Sequence, residues 1–409
     1  MPVFSKKPVK QILTVLVSIA LLVITWNNVV LLNSLKSLPD KFAVVENTEK
    51  STVVVDTGHE EISCIDLKAV QYNRVEDIYC TVLPKFLPNL KNPCFYILHQ
   101  FGMKTLRCLP YFYIIGMDKS GSTDLYSRLA QHSLVYENLG DLGKETQFWS
   151  WNRYGISHKK KGLRKYTLEA YMKMFVKLAR IIYIQNITNA ISGDASPMDI
   201  YDFRSWTMIP QNAGLQEPRI LTPHLMKHVH HNVPPKFIII IREPIERLYS
   251  DYVFLEYGNN TLDFHHHVVQ AIKMMEDCLL KHSKRFCFFD DQLYQQLPVR
   301  IHVSCYSEFL KVWLQVFPRS AFHIFRTREY TDEMETTLRD IFTFLQLPQV
   351  TQPEMKNILR QKRRHITEKK TGTILPETKT LLRSFYSGCN EELASILKDE
   401  RYLWLDHYS

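Results

Sequence analysis

The chain predicts an α/β fold, a parallel sheet flanked by helices, preceded by one transmembrane helix. A short apolar strand at residues 111–116 (YFYIIG) runs into a Gly/Ser-rich turn and then into a helix. A second run, KFIIII at residues 236–241, is continuously apolar after its lysine, as in strands buried on both faces. From Leu109 onward strand-length apolar runs alternate with helical periodicity, which implies crossover connections and parallel pairing.

Residues 11–35 hold no charged side chain, and their apolar run reaches the roughly 20 residues a helix needs to cross a bilayer. Residues 11–32 are read as the span, with Trp26 near one interface. Lys6, Lys7 and Lys10 precede it, so the positive-inside rule leaves residues 1–10 in the cytosol and sends the body to the lumen as a single-pass type II protein. Residues 33–105, with Pro84, Pro88 and Pro93, read as a stem that becomes ordered toward Cys80 to Cys108, and residues 106–409 as one domain. Within it, helices are expected at residues 123–132 (Leu125 and Leu129 on one face) and 167–183. Pro244 suits the first turn of the next helix, where Ile245, Leu248, Tyr249, Tyr252 and Val253 form an apolar stripe. A third strand is expected at 321–325, and helices at 335–345 and 377–398.

Eight cysteines, none in a C-x-x-C pair, point to disulfides in an oxidising compartment rather than to zinc. Cys278 and Cys287 are near enough to bridge locally; the other pairings stay open. Asn186 and Asn259 head glycosylation sequons. His224 and His228 have helical spacing, but with no H-E-x-x-H pattern no metal is expected. The net charge is +9, with basic runs at residues 158–165, 281–285 and 362–365. An acidic partner follows; in a lumen this is a polyanionic glycan or an anionic membrane surface, and not nucleic acid.

The turn GMDKSGST, residues 116–123, carries the chemistry. Backbone N–H groups at such a turn and helix start converge on an anion, and Gly116 and Gly121 allow it to approach. The spacing is nearly that of a nucleotide-triphosphate loop, but the lysine, Lys119, stands two residues before Gly121 instead of just after it. Arg242 likewise follows a buried strand, and Ser250 lies two turns along the next helix. Ligands of open α/β sheets sit beyond the carboxyl ends of the strands. Lys119 and Arg242 therefore face one crevice, suited to a ligand with phosphate at both ends.

The pair GMDKSGSTDLYSRL and IIIIREPIERLYSDY resembles the two cofactor motifs of the Golgi carbohydrate sulfotransferases. The resemblance extends from about Ile78 to the end and includes NPCFY at residues 92–96 and LPVR at 297–300. It implies a P-loop, nucleotide-kinase-like sulfotransferase fold and 3'-phosphoadenosine 5'-phosphosulfate (PAPS) as co-substrate, without a metal. Carried over by position, Lys119, Ser120, Gly121, Ser122 and Thr123 hold the phosphosulfate, and Arg242 and Ser250 the 3'-phosphate. GKETQFWSW, residues 143–151, resembles the family's Lys-Glu motif, which makes Glu145 the general base with Lys144 beside it. Asp194 is expected to orient that base or the sugar, and Lys370 to close over the nucleotide. The implied acceptor is a sulfated glycosaminoglycan, the 6-position of N-acetylgalactosamine 4-sulfate in chondroitin or dermatan sulfate; the implied setting is the Golgi membrane, with self-association left open. Thr146-Gln147 stands where relatives commonly have Pro-His, which leaves a glycan binder without turnover and a heparan sulfate sulfotransferase as alternatives. A metal-dependent glycosyltransferase is disfavoured, since no two aspartates are two residues apart.

Overall fold

Strand residues point alternately to opposite faces, so a strand covered on both sides must be apolar throughout. Seven strands lie among the described residues: β1 (Cys94–Leu98), β2 (Lys104–Cys108), β3 (Phe112–Gly116), β4 (Val135–Tyr136), β5 (Ile191–Asp194), β6 (Lys236–Ile241) and β7 (Phe322–Arg326). The computed structural model describes residues 62–65, 75–157, 162–231, 233–362 and 372–405. The chain divides into residues 1–61 and 62–409, and every described residue belongs to the second unit. The expected cytosolic tail and span, and Lys370, lie outside the described residues. Among those described, no helix is long and apolar enough to cross a membrane.

β3 to β7 form one parallel sheet in the order β4-β5-β3-β6-β7. Tyr113 and Ile115 of β3, with Phe237, Ile239 and Ile241 of β6, enter one core cluster; Phe112, Ile114, Ile238 and Ile240 enter the other. This alternation explains the unbroken apolar runs. Burying each such isoleucine contributes about 1.5–3 kcal/mol.

The second cluster is covered by α1 (Ser122–Leu129), the helix that follows β3. The first is covered next by α2 (Leu168–Lys173) and α3 (Val176–Gln185). The single helix expected over 167–183 is thus two, separated at Met174 and Phe175. The same face carries α4 (Thr222–His230), α5 (Pro244–Phe254) and α6 (Thr261–Leu279). After the short α7 (Lys284–Phe289) and α8 (Asp291–Gln296) comes α9 (Tyr306–Val316), whose Trp313 lies in that core. α10 (Thr327–Asp332), α11 (Met334–Phe344) and α12 (Gln352–Arg360) return to the α1 side, and α13 (Pro376–Leu397) closes the first.

The antiparallel hairpin β1–β2 straddles the end of the segment read as stem, where order was expected, and Val75, Ile78, Leu83, Cys94 and Phe95 all belong to the first core cluster. Disulfides join Cys64–Cys80, Cys94–Cys108, Cys278–Cys287 and Cys305–Cys389, which fixes the pairings the sequence left open. Trp149, Trp151, Trp206 and Trp313 are buried, so packing is their role.

Candidate active site

The sheet reverses direction of growth at β3, between β5 and β6, and the turn after β3 opens there. Lys119 has φ +61° and Gly121 φ +105°. A residue other than glycine at position 121 would be strained in this left-handed conformation. Gly121 is the N-cap of α1 and supplies no side-chain cap, so the first N–H groups of the helix remain available to a ligand. Ser122 is buried and Thr123 half-buried. Ser120 is 1% exposed, and its hydroxyl has no hydrogen-bond partner. Gly116 has a different reason from the expected one: a Cβ there would lie 2.8 Å from Ile200 Cγ2, so packing within the fold excludes a side chain.

Lys119 Nζ sits 3.7 Å from the Phe254 ring centroid, a cation–π contact with the end of α5. Arg242, just before α5, donates from Nη1 to the Lys119 carbonyl at 3.4 Å and from Nε to Glu246 at 3.0 Å. Glu246, Ser250 and Phe254 recur every four residues, so they share one stripe of the helix. Ser250 therefore lies between the residue that holds Arg242 and the one beneath Lys119. The structure brings the two strand-end cations together, with Ser250 on the adjoining stripe of the helix. Burial lowers the Lys119 pKa, Arg242 and Arg300 push it further down, and Asp118 and Asp251 oppose them.

Beneath the turn lies a network that no single sequence motif discloses. Asp118 accepts from Arg247 Nη1 at 3.0 Å, Arg300 Nη2 at 2.6 Å and the Tyr201 hydroxyl at 2.9 Å. Arg300 also donates to Asp251 from Nε at 2.8 Å and from Nη2, while Arg247 Nη1 lies 3.5 Å from Asp251. Burial would raise the Asp118 carboxyl, but the Arg300 and Arg247 guanidiniums outweigh it and hold the pKa below its usual value. The phosphate-type turn is thus anchored by charge from below. The available signal was the i, i+4 pair Arg247 and Asp251, a charged pair on an otherwise core-facing helix.

Glu145 sits on a second loop at the carboxyl end of β5. Ala195, next after the strand, donates to the Lys144 carbonyl at 2.8 Å, and Asn138 Nδ2 donates to the same oxygen at 2.8 Å. The buried Lys144 ammonium pairs with Glu145 Oε1 and donates to the Ala195 carbonyl at 3.1 Å. Burial lowers the Lys144 pKa, and the Glu145 charge opposes this. Gln147, at φ +52°, donates from Nε2 to Glu145 Oε2 at 3.3 Å. Both carboxylate oxygens are held while the side chain remains 17% exposed. From Ala195 the chain runs to Ile200, whose N–H bonds the Ile115 carbonyl of β3, and to Tyr201, which bonds Asp118. The two loops are thereby tied along one edge of the sheet.

Asp194, expected to orient the base or the sugar, is buried behind the loop of Glu145. It is 1% exposed and accepts from Thr146 Oγ1 at 2.5 Å, Tyr171 OH at 3.0 Å and Ser196 Oγ at 2.8 Å. Burial raises its pKa, and these hydrogen bonds limit the rise. Its work is to hold the loop that carries Glu145. Asn186 and Asn259 are both exposed, as sequon asparagines need to be.

This geometry defines a class of α/β domain with a Gly/Ser-rich strand-to-helix turn at the centre of a parallel sheet and a restrained carboxylate on the loop after a neighbouring strand. Residues 109–389 match the model of the sulfotransferase domain, and the chain belongs to that family. It is 31% identical over 379 residues to human carbohydrate sulfotransferase 15, covering 79% of this chain and 67% of that protein. With the rat protein of the same name it shares 34% identity over 315 residues, covering 73% of this chain and 55% of the relative. The chain thus spans between about half and two thirds of these relatives. Among solved structures, the sulfotransferase from Alicyclobacillus acidocaldarius aligns with a TM-score of 0.45 at 18% identity, covering 71% of this chain and 96% of that one.

Proposed function

We propose that the protein transfers a sulfuryl group from PAPS to a glycosaminoglycan hydroxyl, the 6-position of N-acetylgalactosamine 4-sulfate in chondroitin or dermatan sulfate. The observation that carries the reading is the Lys119–Arg242 contact at the mouth of a turn whose buried Ser120 hydroxyl lacks a partner. A partnerless buried donor beside uncapped helix N–H groups fits an anionic oxygen. Membership of the sulfotransferase family and the likeness to carbohydrate sulfotransferase 15 support sulfate as the group and carbohydrate as the acceptor.

PAPS, when bound, supplies an activated sulfuryl group on a phosphate leaving group. Positioning and charge stabilisation then dominate, by analogy with phosphoryl transfer. Ser120, Gly121, Ser122 and Thr123 bind the phosphosulfate, and Lys119 meets charge developing on the bridging oxygen. Arg242 and Ser250 bind the 3'-phosphate. Glu145 takes the proton of the acceptor hydroxyl, while Lys144 and Gln147 keep its carboxylate aimed. The setting proposed is the Golgi lumen behind a type II anchor; four disulfides and two exposed sequons support an oxidising, glycosylating compartment.

The test is to incubate the purified full chain with radiolabelled PAPS and chondroitin, dermatan and heparan sulfates, followed by disaccharide analysis. Label at the 6-position of 4-sulfated N-acetylgalactosamine is expected. Label confined to heparan sulfate would reassign the acceptor, and glycan binding with no label would remove the enzymatic reading.

A further inference from the structure

Folding assembles a cationic face that the basic runs of the sequence do not reveal. Lys173 ends α2, while Lys177 and Arg180 stand at i, i+3 spacing on α3; all three are exposed. β2 packs against both helices and brings up the half-buried Arg107. Arg107 Nε is buried without a hydrogen-bond partner, and the charge of Glu169 on α2 acts on this guanidinium. Lys173 pairs with that same Glu169 at 2.9 Å, the two side chains being 55% and 34% exposed. So exposed a pair is weak, and an incoming anion displaces it readily. One carboxylate is therefore shared between Lys173 and Arg107.

The face borders the loop of the proposed base. Met174, next to Lys173, accepts at its carbonyl from the Leu139 N–H at 2.9 Å, and the turn from Leu139 leads to Glu145. Tyr171, on the same helix as Lys173, donates to Asp194, which holds that loop. A polysaccharide is longer than the one sugar that reacts, and its flanking residues have to lie on the surface next to the site. A repeating polyanion suits a row of exposed cations, each neutralised charge releasing counterions.

We propose that Arg107, Lys173, Lys177 and Arg180 form a binding track for the flanking, sulfated part of the acceptor chain. The inference rests on the acceptor class proposed above. The test compares the full-length protein with Lys177→Ala/Arg180→Ala, and with Lys356→Ala/Arg360→Ala as a charge-matched change on exposed positions of α12. Direct titration with chondroitin sulfate polymer, without PAPS, is followed over a range of salt. The track variant should bind about tenfold more weakly, and its salt slope should fall by roughly two, about one for each cation removed. Its KM should rise for long chains and stay unchanged for a short sulfated oligosaccharide. Unaltered polymer affinity in the track variant would overturn the proposal. So would an equal loss in the α12 variant, which would mean diffuse charge only, or binding of anionic phospholipid vesicles in preference to the polymer. Failure of the wild type to transfer sulfate would count against the function and leave the titration readable.

Discussion

Lys119 is held on three sides: its ammonium over Phe254, its carbonyl under Arg242, its backbone in the left-handed region. Removing the ammonium leaves the turn's shape but not its charge, so Lys119→Ala should lower sulfate transfer by at least 10²-fold, an effect of the size seen when a charge-stabilising donor is lost. Single-turnover assays with saturating PAPS would read it. Glu145→Gln keeps the shape and removes proton acceptance, so turnover should drop about 10²–10⁴-fold with little change in PAPS affinity. Titration of PAP alongside kinetics separates the two, and normal turnover in Glu145→Gln would free that residue of its role.

At the scale of elements, Arg300 joins the turn after β3 to α5 through Asp118 and Asp251. Breaking a buried ion pair strands the partner charges, at a cost of about 3–5 kcal/mol. Arg300→Met should therefore lower the melting temperature by several degrees and also weaken PAP binding, because Asp118 adjoins Lys119. A variant that melts early yet binds PAP normally would uncouple the network from the turn. β3 and β6 were legible because each is a run of apolar residues long enough to serve two cores. β4 was not, having two residues, nor β5, whose ISGD reads as a loop. Gly193 in β5 is required by tertiary contact, since a Cβ there would come within 2.3 Å of the Phe112 ring. The cations at the strand ends could be found from local pattern alone. Arg300 could not be placed beside Asp118, because 182 residues separate them and nothing near either predicts the other.

For the whole molecule, covalent and protonic effects on stability differ in scale. Cys305–Cys389 closes a separation of 84 residues and Cys278–Cys287 one of 9. Chain-entropy arguments give roughly 4–5 kcal/mol for the first and roughly 2–3 kcal/mol for the second. Cys305→Ser/Cys389→Ser should thus shift the urea midpoint further than Cys278→Ser/Cys287→Ser, and the reverse order would refute that account. Burial lowers His230 and His302 to about 3 and His224 to about 4; the Arg300, Arg247 and Arg204 charges add to the effect at His302. These values lie below the unfolded value of about 6.5. As pH falls through that range the unfolded chain takes up protons that the native imidazoles refuse, so the stability these groups contribute above it is progressively lost. His302→Leu, which removes an imidazole whose Nδ1 has no partner, should reduce the fall by up to about 1.4 kcal/mol per pH unit between pH 6 and 4. Paired denaturation curves at several pH values would measure the difference.

The Cys94–Cys108 bond spans the two ends of the hairpin, and β3 begins four residues beyond it. Load applied at Cys94 therefore bypasses the hairpin through a covalent shortcut and arrives at the central strand and the turn that follows it, while the hairpin itself stays slack.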